Sequence, residues 1–117
     1  MATPSRGSVV LIPFPFSDLS QSKLRPSVVL APSGKGDWIL CQVTSKRYID
    51  TKAVELSNQD FQTGSLRVTS FARPGKLFTA NDSLIISEVG KLKGNILNSI
   101  VTSVIDILKK DDLQNGT

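Results

Sequence analysis

Hydrophobic periodicity changes once along this chain, and that change limits the folds open to it. From Asn95 onward, Ile96, Leu97, Ile100, Val101, Val104, Ile105 and Leu108 recur at spacings of three and four. That period gathers apolar side chains on one face of a helix, and Lys109-Lys110 then suit the helix's negative end. Everything earlier reads in short β-rich runs separated by turn residues. Val9-Val10-Leu11-Ile12 is apolar on both faces and rich in β-branched residues, as in a buried strand, and Pro13 and Pro15 are expected to stop its regular pairing. Ser27 to Ala31 is a second run, Pro32 to Asp37 a turn, and Trp38 to Thr44 a third strand with Ile39, Cys41 and Val43 on one face. Thr51 to Leu56 reads as a fourth strand and Leu66 to Phe71 as a fifth. Lys76 to Thr79 and Leu84 to Val89 read as two more, joined through Asn81-Asp82. Short strands, tight turns and one terminal helix fit a mainly β fold, a small and strongly bent antiparallel barrel, better than a flat sheet or a βαβ fold. The β-branched residues of the helix lower its intrinsic propensity, so packing against the sheet is expected to hold it.

A chain of 117 residues has room for one compact domain. We place it at residues 1–110, followed by a polar tail at 111–117. The hydrophobic fraction of 39% with 21% charged residues argues against a disordered chain. No apolar run approaches the ~18 residues that span a bilayer, and the opening MATPSRGS lacks the apolar stretch of a signal peptide, so a cytoplasmic protein without a membrane partner is expected. Fourteen Lys and Arg against ten Asp and Glu give a net charge of +4, which favours polyanionic partners. The chain has no histidine, and its carboxylates do not cluster apart from Asp111-Asp112. Neither a zinc site nor a two-metal phosphoryl-transfer site can be assembled from them, and no cofactor is expected. The single cysteine, Cys41, sits within WILCQV and reads as a small buried hydrophobe, since no histidine exists to activate it.

Three stretches carry candidate chemistry. In KLRPSVVLAP, Arg25 stands directly before Pro26. A surface arginine there needs no function, but the proline biases Arg25 towards an extended backbone, which can aim a planar, permanently charged guanidinium at a phosphate. In CQVTSKR, Gln42 and Thr44 fall opposite Cys41 and Val43 and lead into Ser45, Lys46 and Arg47. That is either a β-forming threonine with a solvated hydroxyl or a cluster of donors for a phosphodiester. In SFARPGKLFT, Arg73 again precedes a proline and Lys76 follows a glycine turn, while Phe71 and Phe78 read as core residues before base-stacking platforms. The Ser-rich SDLSQSK, residues 17 to 23, reads as an exposed loop and a candidate binding edge.

Together these segments resemble the PemK/MazF-like toxin family, the endoribonuclease halves of bacterial toxin-antitoxin systems. The resemblance covers about residues 7 to 108: GSVVLIPFPFSD looks like the family's opening strand and loop, LRPSVVLAP its arginine-proline strand, ILCQVTSK its threonine strand, and GSLRVTSFARPGKLFTAND its later block. It implies a small SH3-like barrel with a C-terminal helix, a homodimer, cleavage of single-stranded RNA at short sequences without metal, and inhibition by a cognate acidic antitoxin. Carried across, Arg25 and Thr44 fall on the family's catalytic arginine and threonine. The expected RNA contacts are Phe16, Ser17, Lys23, Gln42, Ser45, Lys46, Arg73 and Lys76. The implied chemistry is attack by the substrate's own 2′-OH, giving a cyclic phosphate and a 5′-OH end. One departure is Ser8, where many relatives carry an acidic residue after the first glycine. Two other functions fit the same fold. Gyrase-poisoning toxins depend on a Trp near the C-terminus, whereas the only tryptophan here is Trp38. A catalytically dead relative would bind RNA without cutting it.

Overall fold

The computed structural model describes residues 3–15, 22–46 and 50–115. Seven strands and one long helix follow in order: β1 (Ser8–Pro15), β2 (Ser22–Gly34), β3 (Asp37–Thr44), β4 (Val54–Leu56), β5 (Phe61–Gly64), β6 (Ser70–Asn81), β7 (Ser87–Leu92) and α1 (Gly94–Asn115). They form one antiparallel sheet in the order β4-β6-β3-β2-β1-β7-β5, bent into a nearly closed barrel with the helix packed on it. The barrel and its terminal helix are the architecture that the periodicity implies. None of the helices among the described residues is long and apolar enough to cross a membrane.

The central strands are apolar on both faces because both faces are covered. Val9, Val28, Cys41 and Val43 join Ala72, Leu92 and Ile100 in one buried cluster, against which Ile96, Leu97, Val101 and Val104 of α1 pack. The alternate positions Val10, Ile12, Val29 and Leu40 join Ala80 and Ile85 in a second cluster, flanked by Phe14, Trp38 and Phe78. Burying two sheet faces offsets the chain entropy that so small a domain must give up. β2 turns into β3 through Gly34, Lys35 and Gly36, all at positive φ (103°, 56° and 80°), a conformation that two glycines make accessible.

Several local expectations are corrected. Pairing does not stop at Pro13 and Pro15: β1 continues against β2 as far as Pro15↔Ser22, so Ser22 and Lys23 belong to a strand and not to the loop. Leu11 turns its carbonyl to the β7 side, where it accepts the Ile86 N–H at 2.9 Å. Two and four residues on, the prolines' missing donors face that same side, beyond the last β7 pair, so no ladder bond is lost. Leu66 to Thr69 is irregular chain; its alternation misleads because Val68 is exposed and Ser70 Oγ donates locally to the Val68 carbonyl at 3.0 Å. The segments around Phe71 and Lys76 are one strand, β6, interrupted by a bulge against β3 between Cys41 and Val43. The fourth strand shrinks to three residues because Asp50 closes a turn ahead of it, its carboxylate accepting the Lys52 N–H at 3.0 Å. β7 starts at Ser87, after a 3-10 turn at Asp82–Leu84. β5 gave no periodic signal, since Phe61 is the only apolar residue of FQTG. The helix runs on to Asn115, into the residues expected as a tail.

β5 closes on β7 through Phe61↔Leu92, Thr63↔Lys91 and Gly64↔Gly90. A Cβ at Gly90 would lie 2.8 Å from both Phe61 Cδ2 and the Thr63 carbonyl oxygen, too close for either to stay. Gly90→Ala is therefore expected to cost about 2 kcal/mol. Urea unfolding checks this, and an unchanged midpoint would contradict the close β5–β7 approach.

Candidate nucleic-acid interface

The pairing register brings the charged candidates together. β2 and β3 pair as Ser27↔Gln42 and Val28↔Cys41, and continuing that register one more pair along each face sets Arg25 opposite Thr44. On its other side Thr44 pairs with Phe71 of β6, and Phe71 pairs in turn with Glu55 of β4. Cross-strand partners share a face, and neighbouring strands lie about 4.8 Å apart. Arg25, Thr44, Phe71 and Glu55 thus form one row across four strands. The row continues the face that holds Val29 and Leu40, at the end where that face turns from apolar to polar.

Two cavities open along the row, with Thr44 in the wall of each. One, of about 230 Å³, is lined by Arg25 and Thr44 with Lys23, Ser45, Arg67 and Ser70. The other, of about 170 Å³, is lined by Thr44 with Lys46, Asp50, Glu55, Phe71 and Arg73. Thr44 is only 5% exposed, and its Oγ1 accepts the Lys46 N–H at 3.2 Å. With a lone pair occupied by the backbone, the hydroxyl proton remains for donation into the cavity. Ser70 is equally buried but donates to the Val68 carbonyl, so its proton is already committed.

Arg73 reaches the second cavity because of the bulge in β6. Its Nε donates to Asp50 Oδ2 at 3.0 Å, with the two side chains 22% and 18% exposed. Its carbonyl accepts the Cys41 thiol at 3.1 Å. Burial pushes that thiol up to about 12, so Cys41 stays protonated and acts as a small core residue with one donor, as its setting in WILCQV suggests. The Arg73 hydrogen bond, helped by the Lys52 N–H, holds the Asp50 carboxyl below its ordinary value of 3.8.

Of the sequence candidates, Lys23, Arg25, Thr44, Ser45, Lys46 and Arg73 line the two cavities. Gln42 and Lys76 line neither. Phe16 and Ser17, like Arg47, lie outside the described residues. Phe78 is a packing residue, edge-on to Phe14 with ring centroids 4.9 Å apart. Phe71 lines the smaller cavity. Ser8 is fully buried and its Oγ accepts the Ser5 N–H at 3.0 Å, so it closes the N-terminal turn away from both cavities. Trp38 packs on the second buried cluster. Sequence reading missed Asp50, Glu55 and Arg67. Asp50 had a local signal, an aspartate two residues before a backbone donor in IDTK. Glu55 had none, because only the register of β4 on β6 brings it to the row.

A profile described as the PemK-like, MazF-like toxin of type II toxin-antitoxin systems matches residues 5–108. No curated protein sequence matches the chain. Among solved structures, a MazE-MazF crystal structure from Deinococcus radiodurans superposes with a TM-score of 0.73 at 18% identity, covering 92% of this chain and 97% of the other. An endoribonuclease in complex with its cognate antitoxin from a mycobacterial species gives 0.66 at 18% identity, covering 92% and 95%. The Mycobacterium tuberculosis toxin MazF-mt6 gives 0.60 at 11% identity, covering 81% and 91%. At these identities the likeness is one of fold.

A carboxyl depressed by a native partner stabilises the fold above its unfolded pKa, and that contribution is lost as pH falls through the folded value. For Asp50 it is complete above about pH 4 and is lost progressively as the pH falls from there through the lowered folded value. Asp50→Asn is accordingly expected to lower stability by about 1 kcal/mol at pH 7, with the two proteins converging towards pH 2. Urea titrations at both pH values check this; a difference of the same size at pH 2 would contradict it.

Proposed function

The chain belongs to the PemK-like, MazF-like toxin family of type II toxin-antitoxin systems, and from that membership we propose that it cuts single-stranded RNA in the Arg25–Thr44 cavity without a metal. The observation that carries this reading is that Arg25 of β2 and Thr44 of β3 line one cavity. The ribose 2′-OH attacks the adjacent phosphorus, a P–O bond forms, and the bond to the 5′ oxygen of the next nucleotide breaks. The attacking hydroxyl loses its proton, and the departing oxygen gains one to leave as a 5′-OH. What the protein adds is alignment and charge stabilisation. Arg25 offers a planar fork of donors to the phosphorane-like transition state, and Thr44 donates its uncommitted hydroxyl proton to a phosphate oxygen. Lys23, Ser45, Lys46, Arg67 and Arg73 flank that phosphate with donors for the neighbouring backbone.

The fold neighbours include a MazE-MazF crystal structure and an endoribonuclease with its cognate antitoxin. With a net charge of +4, they support a cognate acidic antitoxin as the natural partner, competing with RNA for the same cations. The working form is a homodimer in the cytoplasm, with RNA in a groove across the two subunits.

Incubating the protein with a long RNA in EDTA and mapping the fragment ends tests this reading. Fragments carrying 2′,3′-cyclic phosphate or 3′-phosphate and 5′-OH ends are expected, and a site with a 2′-deoxy sugar should bind yet stay whole. Arg25→Ala should lose about 10²–10³-fold in cleavage with its melting temperature unchanged, and Arg25→Lys should fail as well, since a point charge cannot replace the fork. 5′-phosphate ends, or cutting at the deoxy site, would show that water is the nucleophile. RNA binding without fragments would mark a catalytically dead relative.

A further inference from the structure

The smaller cavity is attached to the cleavage cavity through Thr44 and lined along the same cross-strand row by Phe71 and Glu55. From Thr44, the Phe71 side chain lies one strand away and the Glu55 carboxylate two, roughly 10 Å across the sheet. We propose that Phe71 and Glu55 form a nucleobase subsite beside the scissile phosphate, selective for guanine and set against uracil. The inference rests on the cleavage reading above and adds the base that the site recognises.

Three features set this chemistry. Phe71 is half-buried in the cavity wall, an apolar surface on which any base can stack, so it contributes affinity without choosing between bases. The two carboxylates of the cavity differ in what they have left to offer. Asp50 is already spent, with one oxygen on Arg73 Nε and the other on the Lys52 N–H. The exposed Glu55 carboxylate accepts no hydrogen bond from the described residues. An ionised carboxylate is acceptor only. It therefore selects a base with donors on the edge that reaches it. Guanine presents N1–H and an N2 amino group side by side, matching the two carboxylate oxygens. Adenine and cytosine present one amino group beside an acceptor. Uracil flanks its one N–H with two carbonyls, which repel the carboxylate. Single-stranded RNA leaves these Watson–Crick edges open to such readout. Lys46 and Arg73, in the same wall, then face the backbone of the strand as it leaves the cavity.

Short RNAs with a 2′-deoxy sugar at the cut site, carrying each of the four bases in turn at the two flanking positions, test this by fluorescence anisotropy. A cleavage competition among the matching all-ribose RNAs runs in parallel. Guanine is expected to exceed uracil by about tenfold at one of the two positions in both assays. Glu55→Gln, whose amide can donate as well as accept, should bring that ratio within about twofold at an unchanged melting temperature. Phe71→Leu should weaken all four bases alike. Cleavage with no guanine preference at either position, or with the same ranking in Glu55→Gln, overturns the subsite and leaves the catalytic reading intact. The guanine ranking in binding without any cleavage overturns the catalytic reading alone. Absence of RNA binding overturns both.

Discussion

The strand register around Thr44 is the constraint on which the interface depends. With β2 on one side of β3 and β6 on the other, a single position faces Arg25 and Phe71 at once, and β4 extends the row to Glu55. A slip of one residue in either pairing would turn these groups to the opposite face, where Val28, Cys41, Val43 and Ala72 are buried. Such a slip would put charges into the core and apolar side chains into water. Hydrophobic burial on the opposite face is thus what fixes the distance between the groups that line the cavities.

The bulge in β6 adds what a regular ladder cannot. Arg73, Pro74, Gly75 and Lys76 lie between the two registers of β6 on β3, so Phe71 faces the cavity while Phe78, seven residues on, still packs on the second cluster. Pro74 is tolerated because a bulge releases a ladder donor. Two groups hold the bulge in place: the Cys41 thiol on the Arg73 carbonyl and the Asp50 carboxylate on the Arg73 guanidinium. The first is a core contact and the second a surface one, so a single residue ties the packed sheet to the loop before β4. Asp50 also lowers the local positive charge around Arg73.

Much of this was readable from the chain. The barrel follows from short β-rich runs and the single change of period at Asn95, and Arg25 and Thr44 stood out through Arg25-Pro26 and the polar end of CQVTSKR. The misreadings have physical causes. Pro13 and Pro15 look like strand breakers until the unpaired side of β1 is known, and Leu66 to Thr69 alternates like a strand although Val68 faces water. Phe71 and Phe78 look equivalent in SFARPGKLFT, and only the bulge between them separates a cavity wall from a core. Glu55 is one charged residue in a three-residue strand, and its place beside Phe71 is a fact of long-range pairing that no local pattern carries.

The central claim is that Arg25 and Thr44 act on one phosphate as a unit. A double-mutant cycle on single-turnover RNA cleavage, with Arg25→Ala, Thr44→Val and the combination, measures it directly, since Thr44→Val removes the hydroxyl at nearly constant volume. Groups that serve the same transition state lose their effect together. Each single variant should fall by about two orders of magnitude or more and the double variant little further. Losses that multiply would show that the two residues act at separate points along the RNA.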